Sequence, residues 1–210
     1  MKKFELTTEF ITNALGKKLF RIKALVEFGS VKAGELGGYA EKEENISQDG
    51  NAWVSDDACV YGDAKVFGNA WVSDDACVHG NAKVFGNAWV YGDAWVHGNA
   101  KVSDNANVSD NAKVFGNAEV YGDAKVSDNA EVSGDADYAL VKGFGTEFRC
   151  TTFYRDKNKK IMVNCGCFHG DLEAFRKQVK ETRSGKIAKE YLMIADLMEY
   201  HFASEDSSDE

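Results

Sequence analysis

Between Asn51 and Leu140 the chain repeats one six-residue phrase without a break: Asn or Asp, Ala, variable, Val, variable, Gly or Asp. Ala fills the second position from Ala52 to Ala136. Val fills the fourth from Val54 to Val132, and Tyr138 takes the last Val slot. A longer period is superposed, because GNAWVSDDACVYGDAKVF from Gly50 returns as GNAWVSDDACVHGNAKVF from Gly68, 18 residues on. Fixed self-similarity of this kind decides the architecture before local propensity does. Ala-x-Val-x alternates with period two, so Ala and Val face one way and the variable residues the other. The following Gly/Asp and Asn/Asp pair accepts the backbone conformations of a corner. Three short strands and three corners make a triangular coil of 18 residues, with Ala inside near a corner and Val filling the middle. Fifteen phrases make five coils, stacked about 4.8 Å apart around a continuous Val/Ala core. So many Gly, Asn and Asp residues exclude a helix.

Val66-Phe67-Gly68-Asn69-Ala70-Trp71 keeps the aliphatic position and the small residue four places on that mark hexapeptide-repeat, left-handed parallel β-helix proteins. The chain resembles that family, which implies the left-handed coil and packing as homotrimers. It departs by placing Phe, Tyr, His or Ser after the aliphatic residue, and Gly one place later. The opening VEFGSVKAGELGGYAEKEENISQDGNAWV and the later GCFHGDLEAF are similar to hexapeptide-repeat proteins of enterobacteria and their tailed phages. The expected fold is mainly β: a left-handed parallel β-helix with an N-terminal β cap and a C-terminal α+β cap.

The flanks are read from hydrophobic pattern. Residues 1–50 form the N-terminal cap and lead-in, with strands over Lys2–Ile11 and Lys18–Phe28, a loop over Lys32–Gly38, and Ile46 in an Ala slot. Residues 51–140 are the coil. Residues 141–202 form a ββαα unit: a hairpin over Phe148–Arg155 and Lys160–Cys167, then helices over Asp171–Thr182 and Lys186–Phe202. Residues 203–210 (ASEDSSDE) form a disordered acidic tail.

Composition bounds the function. The coil carries twelve Asp and two Glu against five Lys. Direct DNA binding is therefore not expected, since affinity there comes from Lys and Arg on phosphates. No run approaches a membrane span, and Met1–Phe10 has no apolar export core. Five cysteines without an export signal point to reduced thiols in a cytoplasm, and the phage-like resemblance implies that of a bacterial host cell.

Sorting every third phrase gives three outward faces. Face 1 bears Trp53, Trp71 and Trp89, flanked by Tyr91. Exposed apolar area of this size marks either an oligomer interface, a surface covered by a terminal unit, or a binding surface. Face 2 bears Cys59, Cys77 and Trp95, with His79 and His97 beside them, a possible base and stacking platform. Face 3 stacks Lys65, Lys83 and Lys101 beside Phe67 and Phe85. That column is either a solvated face or a nucleotide site in which rings stack on the base and ammonium groups hold phosphates. In the C-terminal unit a hairpin centred at 157–158 sets Cys150 opposite Cys165. With Cys167 and His169 these are either packed thiols or a zinc site.

The expected function is a non-catalytic, self-associating binding protein that needs no cofactor. The phage-like resemblance implies counter-defence, by sequestering a small nucleotide signal or a host defence protein. Two alternatives stand beside it: an acyltransferase-like enzyme with His79 or His97 as base, and an acidic rod that mimics DNA.

Overall fold

The computed structural model describes residues 2–203. It divides into two compact units, one ending at Asp135 and one beginning at Ala136. From residue 204 onward the expected acidic tail lies outside the described residues.

The first unit is a parallel β-solenoid. Fourteen phrases each contribute a two-residue strand, from Trp53–Val54 to Glu131–Val132. Trp53, Trp71, Trp89, Asn107 and Lys125 are register partners on face 1. Cys59, Cys77, Trp95, Lys113 and Glu131 are partners on face 2. Lys65, Lys83, Lys101 and Glu119 are partners on face 3. Every phrase Ala from Ala52 to Ala130 and every Val from Val54 to Val132 is 0 % exposed. Removing this apolar surface from water is what drives the coils to stack. The residue closing each phrase from Asp56 to Asp128 takes a left-handed φ, 70° at Gly62 and 56° at Asp56. Gly reaches that region without a Cβ penalty, and Asp is among the few others that visit it. At one corner, side-chain amides form a ladder along the stack. Asn51 Nδ2 donates to Asn69 Oδ1 (3.0 Å), Asn69 to Asn87 (3.1 Å) and Asn87 to Asn105 (3.1 Å).

The fifteenth phrase leaves the coil. Ala136 is exposed, Asp135–Asp137 form a 3-10 turn, and Tyr138 pairs with Tyr154 in a separate sheet. Leu140 stands where earlier phrases have the Gly or Asp that closes a corner.

Ahead of the coil, strands β1 (Phe4–Thr12) and β2 (Lys18–Ala24) form the expected hairpin. Strand β3 (Leu36–Ala40) pairs antiparallel with β2 and parallel with Cys59–Val60. The loop expected over Lys32–Gly38 therefore ends early, and its last residues belong to a strand. Gly37 and Gly38 offer no side chain for a period-two reading, yet that lack is what permits the strand. A Cβ at Gly38 would stand 2.4 Å from the Ala58 carbonyl oxygen, and one at Gly37 would stand 2.6 Å from the Trp53 ring. Ile46 bridges Val66 and so stands in a Val column, not in the Ala slot expected for it. Gln48 and Asp49 are extra residues that restore the register by Asn51. Gln48 uses the bulge to hold the N-terminal strand: Oε1 accepts from the Lys3 N–H (2.7 Å), and Nε2 donates to the Phe4 carbonyl (3.1 Å).

Coil N–H groups donate to the following coil, as from Asn51 to the Gly68 carbonyl (2.8 Å). The first coil therefore begins with carbonyls that no earlier coil satisfies, and such groups need partners when buried. Lys3 Nζ donates to the Gly50 and Ala52 carbonyls (3.3 and 2.9 Å). Asn45 Nδ2 donates to those of Gly62 and Ala64 (3.0 and 2.9 Å). Backbone N–H groups of Tyr39 and Ser47 serve Ala58 and Val66. Lys3 is 4 % exposed, and burial lowers its pKa to about 8 against the pull of Asp49.

In the second unit four antiparallel strands, Tyr138–Val141, Thr151–Arg155, Ile161–Cys165 and Phe168–Asp171, lie in chain order. Helices α1 (Leu172–Thr182) and α2 (Gly185–Phe202) follow, with Asp171 Oδ1 capping α1 through the Ala174 N–H (2.7 Å). Leu172, Phe175 and Val179 pack with Ile194, Met198 and Phe153. The Phe168–Asp171 strand was not expected, because its Phe-His-Gly-Asp sequence carries no alternation. The hairpin register also differs by one residue: Thr151, not Cys150, stands opposite Cys165. Among the described residues no helix is long and apolar enough to cross a membrane.

Candidate functional site

The tryptophan column of face 1 is treated in two ways. Trp53 is 0 % exposed, with the Phe4 and Phe28 rings edge-on to it at 6.3 and 5.3 Å between centroids. It is withdrawn from any oligomer interface, because the N-terminal segment of the same chain covers it. Trp71 is partly buried and donates from Nε1 to Ser55 Oγ (3.1 Å). Trp89 lies 6.4 Å from Trp71 and is 52 % exposed, with Tyr91 partly buried beside it. The uncovered apolar stretch therefore lies on the second and third coils.

Face 2 carries a column of stacked rings. Tyr61 and His79 stack at 4.8 Å, His79 and His97 at 5.0 Å, and His97 and Phe115 at 5.3 Å, all within 9° of parallel. Trp95 sets an edge against His79 at 5.9 Å and is 46 % exposed. Burial, then the neighbouring His97, lowers the His79 pKa; burial, then Lys113, lowers that of His97. His79 Nε2 is buried without a hydrogen-bond partner. The imidazoles are thus held neutral with both ring faces covered. Because the folded state resists the protons that the unfolded chain accepts, stability should fall as pH drops below about 6.5 and level off beneath the folded pKa values. Urea titrations between pH 8 and 5 should show this slope, and His79→Phe/His97→Phe should flatten it.

On face 3 the expected nucleotide site is already engaged. Lys65 Nζ donates to the Glu44 carbonyl (2.6 Å), and Lys101 is ion-paired with Glu119. Lys83 remains exposed. Phe67 and Phe85 stack at 4.9 Å and 1°, in mutual contact that leaves no room for a base between them.

The second unit holds a cavity that sequence reasoning missed. It encloses about 90 Å³ and is lined by Cys165, Cys167, Arg149, Arg183, Phe175 and Tyr191, among others. It is small beside ligand pockets of about 300–1,000 Å³. Cys165 accepts from Thr151 Oγ1 (3.1 Å), while His169 shares a hydrogen bond with the Tyr154 hydroxyl (3.2 Å). The alternative zinc grouping of Cys150, Cys165, Cys167 and His169 is not assembled. Among the described residues no set of three or more His, Cys, Asp or Glu side chains is arranged to hold a metal ion.

Two comparisons bear on the chain. No curated protein matches it. A family model described as the YdcK beta solenoid repeat matches residues 82–98, the stretch that carries Trp89, Tyr91, Trp95 and His97. Phrases on both sides of that stretch repeat its geometry, so the chain is a parallel β-solenoid protein similar, over this coil, to the YdcK beta solenoid repeat.

Proposed function

We propose that the chain is a non-catalytic binding scaffold that associates with copies of itself through Trp71, Trp89 and Tyr91. The observation that carries this reading is the divided tryptophan column. Where the chain can reach, it buries Trp53 under two aromatic rings; one register position beyond Trp71, the same side chain stands 52 % exposed. Aromatic anchors of this kind dominate association energies once desolvated. The non-catalytic reading rests on His79 and His97, whose ring faces are stacked on both sides, and on hexads that run without an inserted loop.

Counter-defence attaches to the same scaffold. A host protein in the bacterial cytoplasm suits it better than a nucleotide, because Lys65 and Lys101 have partners and the Phe67–Phe85 stack is closed. Trp95, exposed on face 2, is the anchor offered to that protein.

Sedimentation velocity tests the association. Wild type should sediment as a multimer at micromolar concentration, and Trp71→Ser/Trp89→Ser as a monomer with unchanged circular dichroism. A monomeric wild type at tens of micromolar would overturn the reading.

A further inference from the structure

Face 2 holds a pair of sulfurs that the binding reading does not use. Cys59 and Cys77 are direct register partners on the first and second coils, with Sγ atoms 2.9 Å apart. All five cysteines of the chain are thiols. Parallel neighbours sit about 4.8 Å apart, within the range of about 4.4–6.8 Å between α-carbons that a disulfide spans. The pair is bounded on both sides by rings, Tyr39 next to Cys59 and Trp95 next to Cys77 in the same ladder. We propose that Cys59 and Cys77 form a peroxide-oxidisable dithiol whose disulfide joins the first two coils.

The two sulfurs have different surroundings. The Cys59 S–H donates to Cys77 Sγ, which lowers the Cys77 pKa against the opposing effect of burial. Donation to Cys77, burial, and the charge on its neighbour push the Cys59 pKa up. Cys77 is therefore the more readily ionised of the two sulfurs and Cys59 the resolving thiol, since the thiolate is the nucleophile. Cys77 is only 7 % exposed, which suits a small oxidant such as hydrogen peroxide. In the first step the Cys77 sulfur attacks one peroxide oxygen, the O–O bond breaks, and hydroxide leaves a sulfenic acid behind. In the second, Cys59 sulfur attacks the Cys77 sulfur and the S–O bond breaks. The departing hydroxide takes up the Cys59 proton as water. The net reaction converts two thiols and one peroxide to one disulfide and two waters.

The sequence supplies a clean assay. Trypsin cuts after Lys42, Lys65 and Lys83, which places Cys59 alone in peptide 43–65 and Cys77 alone in peptide 66–83. After one equivalent of hydrogen peroxide, thiol blocking and digestion, mass spectrometry should find these two peptides joined, before the exposed Cys167 has reacted. In Cys59→Ser, whose replacement is close in shape, dimedone should trap sulfenic acid at Cys77; in Cys77→Ser, labelling of Cys59 should be far lower. Unlinked peptides with Cys167 oxidised first, or equal labelling in the two serine variants, would overturn the proposal.

Discussion

Trp53→Ala is expected to destabilise the first unit by about 3–5 kcal/mol, while Trp89→Ala, two places along the same column, should cost under about 1 kcal/mol in the monomer. Both residues occupy the same slot of the same phrase and share the ladder through Trp71. The difference lies in what covers them. Trp53 is fully enclosed, with Phe4, Phe28 and the Gly37 backbone against it. Truncation there leaves a cavity that β1, β3 and the first coil cannot all move to fill. Trp89 is half in solvent already, so little burial is lost. Urea unfolding followed by circular dichroism, at concentrations low enough to keep the protein monomeric, measures both. Equal costs would mean that the N-terminal segment does not cover face 1.

Gly38→Val should be similarly severe. A Cβ there meets the Ala58 carbonyl oxygen at 2.4 Å and a Val54 methyl at 2.8 Å. The carbonyl cannot move away, because it accepts the Tyr39 N–H at 2.9 Å that docks β3 on the coil. Overpacking commonly costs about 1–3 kcal/mol, and more where backbone is the obstacle. Release of β3 would uncover both a strand edge and the end of the Val/Ala core, which invites aggregation. Limited trypsin digestion should cut at Lys32 and Lys42 much faster than in wild type. Gly134→Ala, where a Cβ meets nothing within 4 Å, should stay within about 0.5 kcal/mol of wild type.

The coil was legible in the sequence because its period makes neighbours calculable. Eighteen residues separate Trp53 from Trp71 and Cys59 from Cys77, and both pairs are in register. What failed lies where the period is interrupted or absent. Gln48 and Asp49 insert two residues, which moves Ile46 from an Ala slot to a Val column. Gly37 and Gly38 form a strand for a steric reason that no hydrophobic pattern records. The Cys150 pairing missed by one residue because Arg155 pairs with Ile161, centring the hairpin on Asn158. For the candidate site, column membership was readable but side-chain use was not. Nothing local to Lys65 announces that it reaches the Glu44 carbonyl, nor that Phe4 and Phe28 fold over Trp53. Lys3 shows the same gap: its value as a terminator of two carbonyls depends on a strand 47 residues away reaching the coil edge.

The divided tryptophan column is best tested by fluorine NMR of protein carrying 5-fluorotryptophan, with the four resonances assigned by single Trp→Phe replacements. The shift on exchanging water for deuterium oxide reports solvent access at each ring. Trp53 should show no isotope shift at any concentration. Trp89 should show a large one in dilute solution, and it should shrink as the protein is concentrated and copies cover the face. A Trp89 resonance that stays solvent-accessible at every concentration would contradict self-association through this column.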